Sequence, residues 1–193
     1  MAGLKNINIW LTLAVGAIGF GGMFSVYSYV SPILTEYTHA DIRIVPIALA
    51  IWGVGMVIGG LVSGWLADKS LFKTMIGILV SSALAFVLAS FMMSNLYTAI
   101  TALFLIGFTV IGLGGALQTH LMDIADDAQT LAASLNHSAF DLANALGRFL
   151  GGWVLNHNMG WLAPIWVGFV LSLGGLAILL IALAYAKYTQ KNQ

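Results

Sequence analysis

Charge and cysteine are what this sequence has least of. Only 7% of its 193 residues are Asp, Glu, Lys or Arg, seven of each sign, and cysteine is absent. Soluble domains carry roughly 25% charged residues, so an ordinary soluble globule is excluded. The balanced charges leave no basic excess for a nucleic acid. Without cysteine there is no disulfide, and nothing marks the redox compartment. Also missing are the period-2 alternation of an outer-membrane-type barrel, an H-E-x-x-H zinc pattern, a phosphate-binding loop and paired intramembrane aspartates. No metal or cofactor site is left to assign.

What remains is apolar: 60% of the residues are hydrophobic and the mean hydropathy is +0.97. The apolar runs exceed the ~20 residues that cross a bilayer as helix, so the chain reads as an all-α membrane protein. Charged and turn residues cut it into six segments, Ile7 to Leu34, Val45 to Leu66, Thr74 to Met93, Tyr97 to Leu117, Leu131 to Leu155 and Trp161 to Tyr185. The connections are short, marked by Pro32, Pro46, Asn95 and "NHNMG". One six-helix domain, 1–193, is expected. The first run is longer than a signal peptide's ~7–15-residue apolar core and reads as a retained helix.

Positively charged flanks stay on the cytoplasmic side. Lys5, Lys69, Lys73, Lys187 and Lys191 share one side and Arg43 stands alone on the other. Both termini are therefore expected in the cytoplasm, with the chain in the inner membrane. The fourth loop, with Asp123, Asp126 and Asp127, adds no positive residue, and acidic residues count little in this rule.

An internal repeat runs through the glycines. "IGFGGMF" at Ile18 matches "IGLGGAL" at Ile111, "GMVIGG" at Gly55 matches "GRFLGG" at Gly147, and Gly77 and Ser81 match Gly168 and Ser172, with offsets of 93, 92 and 91. Each copy, 7–93 and 97–185, holds three segments, so the second enters the membrane from the opposite face: a 3+3 inverted repeat. Small residues four apart also let helices approach closely, and Gly55, Gly59, Gly60, Gly147 and Gly151 are expected at such contacts.

The cytoplasmic loop "GWLADKSLFK" carries Gly64, Leu66, Ala67, Asp68, Lys69 and Lys73 in the spacing G-x-L-A-D-[RK]-x-G-[RK]-[RK]. With "GAIGFGGMFSVYSYVSPILTE" in the first segment and "N-A-L-G-x-x-L-G-G" in the fifth, the chain resembles the major facilitator superfamily. Together these stretches look like the carboxy-terminal half of an arabinose-efflux-like or drug-efflux-like proton antiporter. Leu71 and Phe72 depart from the loop pattern, as is usual for the second-half copy. The resemblance implies half of a twelve-helix fold, with substrate held between two halves. The Met1 start suits a self-standing unit whose second half is most simply another copy of itself, a homodimer. A separately encoded half or a truncated product are the other possibilities.

The third and sixth segments are almost purely aliphatic, as suits lipid contact. Polar side chains gather on the first, with Ser25, Tyr27, Ser28, Tyr29 and Ser31, on the fourth, with Thr101, Thr109, Gln118 and His120, and on the fifth. On the fifth, His137, Asp141, Asn144 and Arg148 fall at roughly 0°, 40°, −20° and 20° around a helix turning ~100° per residue, one narrow stripe. A charge facing mid-bilayer lipid would cost at least ~2.5–3.5 kcal/mol, so the stripe faces protein or a watery cavity. The family pattern has Asn in place of Asp141 and a small residue in place of Arg148. The stripe is either an internally compensated Asp141/Arg148 pair, within one chain or across a dimer, or a substrate and proton pathway; Tyr27, Ser28, Ser31 and Gln118 join the second reading.

A six-helix intramembrane serine protease would need a base near its nucleophile. Ser63 stands in "GLVSG", but the sixth segment has no histidine, and His39 and His157 fall in external loops. The chain therefore reads as a half-size secondary transporter of a small drug-like or sugar-like solute, proton-coupled, rather than an enzyme. The alternative is a transport-inactive or truncated membrane subunit packed on another protein.

Overall fold

The structure is a computed structural model that describes residues 7–125 and 129–191. Lys5, Asp126 and Asp127 lie outside the described residues, as does the side chain of Lys191. Every regular element described is a helix: α1 (Ile7–Gly19), α2 (Gly21–Tyr27), α3 (Val30–Pro32), α4 (Val45–Lys69), α5 (Leu71–Met92), α6 (Leu96–Val110), α7 (Gly112–Ile124), α8 (Gln129–Asn156) and α9 (Ala163–Lys191). A π turn, Ile33–Tyr37, follows α3, and a 3-10 turn, Ile42–Ile44, precedes α4.

Five helical stretches are long and apolar enough to cross a membrane: Ile7–Tyr27, Ile42–Lys69, Leu71–Met92, Leu96–Ile124 and Ala163–Lys187. Six were expected. Helix α8, 28 residues long, has the length but not the composition, because Asn136, His137, Asp141, Asn144 and Arg148 interrupt its apolar residues. Helix ends also run past the apolar segments, to Lys69 and Ile124. Backbone hydrogen bonding carries a helix through the interface after hydropathy has fallen.

Both copies of the I-G-x-G-G pattern contain an interruption of the helix, at different positions of the pattern. The first span breaks between Gly19 and Gly21, the fourth between Val110 and Gly112, as expected where glycine weakens the ladder. Loop residues take the geometry their types favour: the Asn95 side chain accepts the Tyr97 N–H at 3.0 Å and starts α6, while Asn158 and Gly160 adopt positive φ of 56° and 88°. In the first loop Asp41 accepts both the backbone and side-chain N–H groups of Arg43. That bond holds the Asp41 carboxyl below the usual carboxylate range. The Thr38 hydroxyl then donates 2.7 Å to the Met93 carbonyl and ties this loop to the end of α5.

Helices α4 and α6 pack together, as do α8 with α1 and α2, and α5 with α9, which also lies against α1 and α2. Trp52, Met75, Leu79, Phe86, Leu103, Ile106, Leu113 and Leu117 fill the shared interior. Polar ties are few. The Ser25 hydroxyl lies 2.9 Å from the Pro164 carbonyl, and Ser82 and Ser172 meet at 3.3 Å across α5 and α9. Lipid is as apolar as these side chains, so close packing at small residues supplies the cohesion that water would otherwise drive.

The glycines divide sharply in that packing. A Cβ on Gly55 or Gly59 would run into the carbonyls of Phe104 and Phe108 on α6; one on Gly147 would meet the Gly21 carbonyl and Phe24, and one on Gly151 the Tyr29 ring and Ser25 carbonyl. Gly60 is looser, its nearest neighbour an Ile111 methyl at 3.9 Å, and Gly64 faces open space.

Candidate functional site

Helix α8 has two unlike faces. Ala132, Asn136, Ala139, Ala143, Gly147, Gly151 and Val154 are buried, three or four residues apart and mostly small, so α8 lies close along α1 and α2. The outward face carries Ser134, His137, Ser138, Asp141 and Arg148, all exposed. Three of the four stripe residues thus point away from the chain's own core. Asn144 is half-buried at the border, and its Oδ1 is buried without a hydrogen-bond partner.

Within one chain the charges on this face stand apart. The ion pair found among the described residues joins Arg43 to Asp41; none joins Asp141 to Arg148. They lie two helical turns apart, ~10.5 Å along the axis, beyond simple side-chain contact on a straight helix. What holds the height of α8 here is Tyr29: its ring covers Gly151 and Gly152, and its O–H donates 2.9 Å to the Arg148 carbonyl.

The other sequence candidates occupy the neighbouring spans. Tyr27 is exposed and its ring stands edge-on to Trp52, centroids 5.8 Å apart. Ser28 has a buried hydroxyl oxygen without a partner, and Ser31 and Gln118 are half-buried. Trp52 escaped the sequence reading; its Nε1 is buried and unpartnered, and an indole in an apolar run gives no signal that its N–H lacks an acceptor. With Asn136 and Asn144 these make four buried polar atoms without protein partners, on α4, α8 and the Tyr27–Val30 bend. Such atoms are costly when dry and call for water or a ligand.

Other polar residues are committed locally. Thr101 and Thr109 bond the carbonyls of Tyr97 and Leu105 one turn back, and Ser63 bonds that of Gly59 at 2.6 Å. His120 sits apart, edge-on to Phe72 at 4.8 Å, in a cavity of about 390 Å³ with Asn8, Thr12 and Lys187. Asp68, Lys69 and Lys73 of the loop motif are exposed. Among the described residues no three His, Asp or Glu side chains converge as a metal site.

Residues 12–193 match the family model for the Major Facilitator Superfamily. The Inner membrane transport protein YdhP of Escherichia coli is 32% identical over 187 residues, covering 97% of this chain and 48% of that protein. A Chloramphenicol resistance protein of Streptomyces lividans is 25% identical over 89% of this chain and 44% of its own length. A Probable sugar efflux transporter of Helicobacter pylori is 26% identical over 86% of this chain and 41% of its own. The chain spans about half the length of the curated relatives it matches.

Proposed function

Because the chain belongs to the major facilitator superfamily, whose members are transporters and not enzymes, we propose that it is one six-helix half of a secondary transporter. Its polar face works against a second half. The observation that carries this is the outward face of α8: a helix whose small residues pack inward and whose His137, Asp141 and Arg148 point out is costly against lipid and suits a watery cavity. α8 is then the sixth span, excluded from the apolar set by the residues it needs for work.

In this reading the two halves enclose a cavity bounded by Tyr27, Ser28, Ser31, Gln118, Asn144 and the α8 stripe. Apart from the charges of that stripe its lining is neutral polar and aromatic, which suits a small amphipathic or sugar-like solute exported in exchange for protons. Relatives named for chloramphenicol resistance and sugar efflux favour that substrate class. The repeat supports the same architecture: α8 glycines close on α2 as α4 glycines close on α6. The second half is a second copy related by a two-fold axis.

Cysteine pairs on the outward face of α8 are expected to cross-link two copies more readily than pairs on α9. A purely monomeric particle in both mild detergent and nanodiscs would sink the pairing, and paired protein without gradient-driven uptake in proteoliposomes would favour a transport-inactive subunit. For orientation, cysteines at Arg43 and His157 should react with an impermeant maleimide in intact cells and one at Ser70 should not; the reverse pattern overturns cytoplasmic termini.

A further inference from the structure

Beside the loop motif a cleft of about 550 Å³ opens between α4, α5 and α6. Its walls are apolar, formed by Val62, Leu66, Ile78 and Phe108, and Lys69 and Lys73 stand at one end. The hydroxyls along it are spent on their own helices: Ser63 on the Gly59 carbonyl at 2.6 Å, Thr74 on Ser70 at 2.9 Å, and Ser81 on Ile78 at 3.0 Å. Such walls offer a guest little but contact, whereas the lysine end offers charge. Among the described residues neither lysine meets a carboxylate, the one ion pair being Arg43 with Asp41. The Lys69 ammonium is already held, 3.3 Å from the centroid of the Trp65 ring.

We propose that this cleft binds an anionic phospholipid, with the phosphate between Lys69 and Lys73 and an acyl chain lying along Val62, Gly77 and Ile78. The match is one of charge and depth. The lysines lie at the ends of membrane helices, where headgroups sit, and the apolar trough runs from them toward the bilayer interior, so guest and host reverse polarity at the same level. Val62, Leu66 and Gly77 are exposed, which places the trough within reach of lipid. Gly77 keeps it deep, because a Cβ there would meet nothing within 4 Å. A soluble anion would leave the trough unfilled, and a zwitterionic lipid would bring its own cation against the two ammonium groups. The site is separate from the α8 face.

The test is native mass spectrometry of the full chain in mild detergent, titrated with dioleoyl phosphatidylglycerol or dioleoyl phosphatidylcholine. The anionic lipid should be retained roughly thirtyfold more tightly, as expected for two lysines at about 1 kcal/mol each near a headgroup. The Lys69→Gln/Lys73→Gln double variant should bring it down to the level of the zwitterionic lipid. Gly77→Leu, which fills the trough from open space and so spares folding, should weaken retention of the anionic lipid by a similar factor with the lysines intact. Equal retention of the two lipids by the unaltered chain, anionic retention unchanged in either variant, or displacement by millimolar glycerol phosphate alone would each overturn the proposal.

Discussion

Asp141→Asn is expected to abolish uptake driven by a proton gradient while leaving assembly and substrate binding largely intact. Asp141 is an acidic side chain on the outward face of α8, exposed and without an ion pair to Arg148 in one chain, which is where the proposed pathway would need a group able to bind a proton. Asn keeps the shape and removes that ability. The competing account is structural: in a two-fold pair, Asp141 of one copy meets Arg148 of the other. Removing one partner of such a buried pair costs about 3–5 kcal/mol, because the other charge is left uncompensated. On that account both single variants, Asp141→Asn and Arg148→Ala, lower thermal stability, and the double variant restores stability and uptake together. Uptake and melting temperature measured for the two singles and the double separate the accounts. A fully active double variant sinks the proton-carrier role.

Gly59→Ala and Gly147→Ala are expected to damage the fold far more than their one added methyl suggests. At Gly59 the new carbon falls on the Phe108 carbonyl, and at Gly147 on the Gly21 carbonyl beside Phe24 and Ser25. The obstruction is backbone, which cannot step aside as a side-chain tip can, so α4 must part from α6, or α8 from α2. Overpacking of this kind costs about 1–3 kcal/mol, sometimes more. Gly64→Ala meets nothing within 4 Å and removes a helix-weakening residue, a gain of up to about 1 kcal/mol. Melting temperature and the monodisperse fraction in one detergent should therefore fall for the first two variants and hold or rise for the third. Equal behaviour of all three would show that the glycines do not set the helix spacing.

The stripe and the glycine contacts show how far sequence reaches. Helical period alone placed His137, Asp141 and Arg148 on one face of α8, because azimuth along a single helix is a local property. It placed Asn144 with them, yet the structure leaves Asn144 half-buried with an unpartnered oxygen. The border of a face is drawn by the neighbouring helix, not by the period. Five spans were legible from hydropathy. The segment that became α8 was marked by its flanking turn and charged residues, and its polar face keeps it out of that set.

By itself the sequence determined that this chain lives in a membrane, that it does so as helices, and which residues are chemically exceptional there. Those properties follow from transfer free energy and helical repeat, which each segment carries without its neighbours. Only the tertiary structure decided that Gly55, Gly59, Gly147 and Gly151 touch a partner backbone while Gly60 and Gly64 do not, though all share the same spacing. It alone showed Trp52 and Ser28 with unpartnered polar atoms, Tyr29 bonded to the Arg148 carbonyl, and a lysine-ended cleft beside the loop. Each depends on the height and rotation of one helix against another, which long-range packing sets and no local pattern encodes.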